Sequence, residues 1–404
     1  MAILESATRP YARGGVQAPL PRLLELICLT LVIGEAVFLA GSFFAGNWLI
    51  ASDGGNVASD FVDVWAAGHL TLHGHASTAY HWPTHKIVED SALGHTFDGY
   101  YAWHYPPVFL FVAAALASLP YTLSFLVWTI STFVIYLIAI RAIVGERSGY
   151  LLAAAFPPVL ANFFVGQNGF FSTALIGGTL VLLERRQAVL AGILLGLLTY
   201  KPHLGLLFPI ALIAGGEWRT IAAAAITALL VALASLLVFG DPSWHAFFAH
   251  IGESSQTILA DGKAGWSKLQ TAFGLVRTLG GGETFALTVQ AVVGLAAAST
   301  VALLWRSRAP YEIKAAALAT GSLLATPYLY TYDLLILAVP LAYLLRLGRA
   351  EGFLPHELPV IGIAGLLILS FIVPAVNVPV GFIAVLLVAA LIAHRALAQR
   401  SVAA

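Results

Sequence analysis

The chain has 404 residues, of which 59% are hydrophobic and only 10% charged, where a soluble domain carries roughly 25% charged residues. That deficit, with a mean hydropathy of +0.88, excludes a soluble globular enzyme, a disordered chain and a nucleic-acid binder, and makes lipid the main solvent. Twenty basic and 20 acidic residues cancel, so the positions of the charges are informative and their sum is not. The single cysteine, Cys28, lies in an apolar run, which excludes a disulfide framework and a cysteine-based metal site.

A membrane-crossing helix needs about 20 mostly apolar residues. Residues 1–22 read as a cytoplasmic segment. The first apolar run, 23–46, is interrupted by Glu35 and followed by many more, so it reads as a retained anchor and not as a signal peptide. An outer loop, 47–105, follows. Its Trp48, Trp65, Trp82 and Trp103, with Tyr80, Tyr100, Tyr101 and Tyr105, suit a membrane–water interface. Within it, 61–72 has apolar residues at helical spacing and predicts a helix lying on the outer surface. Segment 106–119 is short and opens on Pro106-Pro107, which predicts a re-entrant or shallow helix. Apolar runs near 121–140, 150–165, 169–184, 187–200, 203–214, 219–239, 284–305, 311–326, 328–346, 358–375 and 378–394 predict the remaining spans. Helices bend at Gly166–Gly169 and Lys201–His203, and a second long outer loop covers 240–283. The expectation is an all-α integral membrane protein: one domain over 23–398, about 12 transmembrane helices, interfacial helices in the first outer loop, and a cytoplasmic tail at 399–404.

Cytoplasmic loops are enriched in Lys and Arg. Placing Arg9, Arg13 and Arg22 inside puts 15 of the 20 cations on that side and leaves Lys86, Lys201, Lys263, Lys268 and Arg277 outside. Both termini are then cytoplasmic. Polar groups that lipid would not tolerate then gather at the outer ends of the spans. They are Asp60 and Asp63, His104-Tyr105-Pro106-Pro107, Gly166-Gln167-Asn168-Gly169, Lys201-Pro202-His203, and the run from Thr326 to Asp333. The convergence points to one polar cavity opening outward.

Asp60 and Asp63 are three apart and share a helix face. Asp60 suits either a helix cap or a general base that takes a proton from an acceptor hydroxyl. Asp63 and Trp65 read as supporting. Lys201 breaks an apolar run and suits either a snorkelling lysine or a point charge for a phosphate. Gln167 and Asn168 between glycines offer amides to a hydroxyl-rich ligand. Tyr328, Tyr330 and Tyr332 with Asp333 offer ring faces and hydroxyls to a sugar, and His104 and His203 are further cavity contacts. His69 and His73 have a metal-compatible spacing but no second pair, so no metal is expected.

The order of these features resembles glycosyltransferase family 87, in the GT-C superfamily of integral-membrane enzymes. The stretches that carry the resemblance are Ser-Asp-Phe-x-x-x-Trp-x-Ala at 59–67, Tyr-Pro-Pro at 105–107, Gly-Gln-Asn at 166–168, Lys-Pro at 201–202 and Thr-Pro-Tyr-x-x-x-Tyr-Asp at 326–333. The resemblance implies a polyprenyl-phosphate sugar donor, mannose in the known members, an outward-facing site, inversion at the sugar carbon, and Asp60 as the base. The family's acceptors differ and none is carried over; the expectation is a lipid or glycan acceptor and no cofactor. Family members often carry a histidine in the last motif, where this chain has Tyr328 and Tyr330, which leaves Lys201 or His203 to meet the donor phosphate. The rival is a transporter or flippase of lipid-linked sugars, but no second copy of the Asp60 or Gln167 neighbourhood occurs in the C-terminal half, as paired repeats would require. A non-catalytic scaffold of the envelope machinery is a further rival. The Ala-rich apolar composition suggests a bacterial inner membrane, with the active site facing the periplasm or exterior.

Overall fold

The computed structural model describes residues 22–99, 101–263, 265–370 and 377–403. The N-terminal segment with Arg9 and Arg13, Tyr100, and part of the predicted run 358–375 lie outside the described residues. Among the described residues the regular structure is helical, with two isolated bridges, Trp48–Ile50 and Ile50–Asn56, tying the start of the first outer loop together.

The first helix, α1 (Arg22–Phe44), leads into that loop. The helix expected at 61–72 forms with those bounds as α2 (Phe61–Leu72), followed by α3 (Trp82–Leu93). Segment 106–119 gives a 3-10 turn (Pro107–Phe109) and a short helix, α4 (Leu110–Ala117). Helix α4 lies against α2, and the two approach so closely at Gly68 that a Cβ there would sit 2.0 Å from the Ala113 carbonyl oxygen. Helix α5 (Tyr121–Val144) starts after Pro120 and ends at Gly145 in the left-handed region, a common helix stop.

Next come α6 (Ser148–Ala154) and α7 (Pro158–Val165), then α8 (Gly169–Glu184), α9 (Ala188–Leu197) and α10 (Phe208–Gly215). Helix α11 (Trp218–Phe239) reaches the second outer loop, built from α12 (Asp241–Ser255) and α13 (Ala272–Thr278). The chain finishes with α14 (Glu283–Arg306), α15 (Tyr311–Leu324), a 3-10 segment (Thr331–Leu337) running into α16 (Ala338–Glu351), α17 (Glu357–Leu369) and α18 (Val380–Ala403).

The helices differ in length. Among the described residues, six helical stretches are long and apolar enough to span alone: α1, α5, α11, α14, Thr331–Glu351 and Val380–Gln399. The pair α6 and α7, bent by 63°, makes a seventh if it is one span. The runs at 169–184, 187–200, 203–214 and 358–375 form shorter apolar helices, and 311–326 forms the 14-residue α15. Apolar sequence marks a helix packed inside protein as well as one facing lipid: α8 and α15 are buried along most of their length, whereas only 6% of the apolar stretch of α1 is buried.

The two ends of the bundle differ in chemistry. At one end Arg346 bridges Glu184 (2.5 Å) and Glu312 (3.0 Å), Arg349 pairs with Glu146, and Arg395 pairs with Glu357 at 2.6 Å. Glu184 is the last residue of α8, and the Gly166–Gly169 turn is at the other end of that helix, about 24 Å away along its axis.

Candidate active site

Breaks between helices place the polar residues. The C-terminus of α7 closes on Gly166, whose φ of +70° only glycine adopts freely and where a Cβ would strike Phe125 and Phe61. The turn presents Gln167 and Asn168 at the start of α8. It is latched by Asn162, which donates from Nδ2 to the Tyr332 carbonyl (3.0 Å) and accepts the Gly169 N–H at Oδ1 (2.9 Å). Pro202 ends the helical run through Tyr200 and leaves Lys201 at the break. Asp333 sits in the first turn of the 3-10 segment and accepts the Tyr330 N–H at 3.2 Å.

These breaks meet in one hydrogen-bonded chain. Lys201, 6% exposed, donates to Asp333 Oδ1 at 2.5 Å and to Asn168 Oδ1 at 3.0 Å. Asn168 Nδ2 donates to the Tyr105 hydroxyl at 2.6 Å. Tyr105 donates to Gln167 Oε1 at 3.3 Å, and Gln167 Nε2 donates to Asp60 Oδ2 at 3.2 Å. The polarity of the chain is dictated. An ammonium can only donate, so Asn168 must turn its oxygen to Lys201 and its NH2 to Tyr105. Tyr105 then accepts there and donates onward, and Gln167 is left with its NH2 facing Asp60. Tyr332 lies beside Lys201, ring centroid 5.2 Å from Nζ, and stacks on Tyr330 with centroids 5.6 Å apart.

Asp60 is where this network meets open space. A cavity of about 190 Å³ is lined by Asp60 and Ser59 with the rings of Trp48, Tyr101, Tyr121, Phe125 and Phe164. Loss of water around the Asp60 carboxyl raises its pKa above the usual value, opposed by the Gln167 hydrogen bond and by the charges of Lys268 and Lys201. Asp63 is buried with Oδ1 unpartnered. Burial, together with the Asp60 and Glu89 carboxylates, pushes its pKa well above the usual range. A larger hollow, about 410 Å³, opens beside Arg186, Glu217 and Arg219 and touches no residue of the network.

The other predicted site residues lie outside this chain. His104 Nδ1 is 2.9 Å from Ser254 Oγ and 3.3 Å from His250 Nε2, so it joins the first outer loop to α12. Trp65 donates to the Leu119 carbonyl at 2.9 Å and anchors α2 to the turn before α5. His203 packs near Tyr328 (centroids 6.3 Å apart) with Nε2 buried and unpartnered, and Tyr328 packs on Leu259, Leu269 and Phe273 of the second outer loop. The rings of His69 and His73 are 4.3 Å apart, and among the described residues no group of three or more His, Cys, Asp and Glu is placed to hold a metal ion.

Sequence reasoning missed Asn162, Tyr200 and Lys268. Asn162 is a fully buried amide in an apolar helix, and that isolation was its signal. Tyr200 shares its hydroxyl with Ser172 at 2.6 Å, next to Asn168. Lys268 gave no sequence signal beyond its charge.

The family model of glycosyltransferase family 87 matches residues 103–327, more than half of the chain. It covers Tyr105, Gln167, Asn168 and Lys201; Asp60 and Asp333 lie on either side of it. No curated protein and no solved structure matches the chain. With its spanning helices and this match, the chain belongs to glycosyltransferase family 87 and is a membrane glycosyltransferase.

Proposed function

We propose that the protein transfers a sugar, mannose by the family resemblance, from a polyprenyl-phosphate donor to a hydroxyl of a lipid or glycan acceptor, with Asp60 as general base. The observation that carries this reading is the placement of Asp60: one carboxylate oxygen is held by Gln167, and the residue also lines an open, aromatic-walled cavity. The raised pKa strengthens Asp60 as a proton acceptor while it is ionised. In the proposed step the acceptor O–H proton passes to Asp60 as the acceptor oxygen bonds to the anomeric carbon. The carbon–phosphate oxygen bond breaks with its electron pair on the phosphate, and the configuration inverts. Lys201 and Asp333 hold the relay that orients Gln167, while Tyr330, Tyr332 and the cavity rings offer faces to the sugars.

The proposed setting is a bacterial inner membrane with a GT-C type bundle, both termini cytoplasmic and the Asp60 end outward, supported by the distribution of cations in the sequence. Purified protein given a radiolabelled polyprenyl-phosphate sugar and membrane lipid extract should form a labelled glycolipid or glycan. Loss of this product in Asp60→Asn at unchanged folding supports the base assignment; full activity in that variant overturns it.

A further inference from the structure

We propose that Lys268, on the 3-10 turn Trp266–Lys268 of the second outer loop, is the cation that receives the leaving phosphate of the donor. This rests on the polyprenyl-phosphate reading above. Inverting displacement leaves the phosphate with an extra negative charge, so a cation must wait beyond the sugar from Asp60.

The charge distribution puts five cations on the outer side; three of them are held by close partners and a fourth, Lys263, lies exposed beside a carboxylate. Lys86 pairs with Asp90 and lies over the Phe97 ring. Lys201 is neutralised by Asp333. Lys263 lies 4.0 Å from Asp261. Arg277 stacks on Trp266 at 3.9 Å and donates to the Ala260 and Gly281 carbonyls, so it braces the loop. Lys268 is exposed, and among the described residues no carboxylate pairs with its ammonium. The turn that carries Lys268 packs with Tyr328 and Tyr330, and Tyr330 stacks on Tyr332 beside Lys201, so Lys268 belongs to the tyrosine end of the network; its charge also acts on Asp60.

The loop holds Lys268 in place. The Gln270 N–H donates to the Leu329 carbonyl at 2.7 Å, tying the loop to the tyrosine run. Its side-chain NH2 reaches the Ser267 and Lys268 carbonyls, and its Oε1 accepts the Gly381 N–H at 2.8 Å. Trp266, Leu269 and Phe273 pack under this turn with Tyr328 and Tyr330. The backbone is therefore fixed while the side chain is free, as a point-charge phosphate ligand requires.

The test measures binding of polyprenyl phosphate to the full-length protein in detergent, alongside sugar transfer. Lys268→Ala should weaken polyprenyl-phosphate binding about 10- to 100-fold, the loss expected for one charge-assisted contact, and lower kcat. Lys268→Arg should restore most of both, and Lys263→Ala should change neither. Wild-type-like binding and turnover in Lys268→Ala overturn the assignment of Lys268 and leave the donor reading intact. If the wild type neither binds polyprenyl phosphate nor uses its glycosides, the donor reading falls and this proposal with it.

Discussion

Asp60 and Asp63 lie three residues apart and differ in what surrounds them. Asp60 has a donor and a cavity; Asp63 has burial and two like charges. A general base contributes about 10²- to 10⁴-fold, so Asp60→Asn should lose activity by that factor while its melting temperature in detergent stays near wild type. Because Asp60 must be ionised to accept a proton and its pKa is raised, activity should fall as pH drops through a value above the ordinary carboxylate range. Gln167→Leu removes a bond to the charged form and should move this acid limb of kcat/KM further up; a downward shift would contradict the geometry. Asp63 carries the opposite expectation. Its folded pKa is raised, so its stability contribution is present at low pH and is lost as pH rises above the unfolded value. Asp63→Asn should therefore destabilise less on going from pH 5 to pH 8 than wild type, as read by melting at the two pH values.

The elements meet at their broken ends, and there the sequence was only partly legible. Gly166-Gln167-Asn168-Gly169 and Lys201-Pro202 showed as interruptions of apolar runs, because glycine and proline punctuate helices visibly. Their partners did not show. Lys201 and Asp333 are 132 residues apart, and His104 meets His250 across 146; no local pattern encodes such pairings. His104, read as a cavity contact, also ties the first outer loop to α12, and Lys201, read either as a snorkelling lysine or as a point charge for a phosphate, is half of a buried pair with Asp333. Removing one partner of such a pair typically costs about 3–5 kcal/mol, whereas replacing both with apolar residues is often close to neutral. Lys201→Met should accordingly destabilise the protein strongly, and Lys201→Met with Asp333→Leu should recover much of the melting temperature. The double variant should still transfer slowly, because Asn168 loses the ammonium that fixes the polarity of the relay to Gln167.

For the whole molecule, hydropathy located nearly every helix, and among the described residues six helical stretches are each long and apolar enough to span alone. A run such as 169–184 is apolar and buried among other helices, and its sequence resembles that of a lipid-facing one, so hydropathy does not tell the two environments apart. The charge distribution makes a separate claim, that the Asp60 end faces outward. In a Cys28→Ser background, Lys263→Cys should react with an impermeant maleimide on intact cells, and Arg308→Cys only after permeabilisation; the reverse pattern inverts the topology. Helix α1 adds a final consequence. Its 23 residues extend about 34 Å, and with only 6% of its apolar stretch buried, bilayer is most of what it touches. The chain leaves α1 directly into Asn47, Trp48 and Leu49, which form one wall of the cavity beside Asp60. A helix held mainly by lipid tilts to match the hydrocarbon thickness around it. That wall is thus set by the length of the surrounding acyl chains, and turnover measured in vesicles of graded chain length should pass through an optimum while the buried Lys201–Asp333 end of the site stays unchanged.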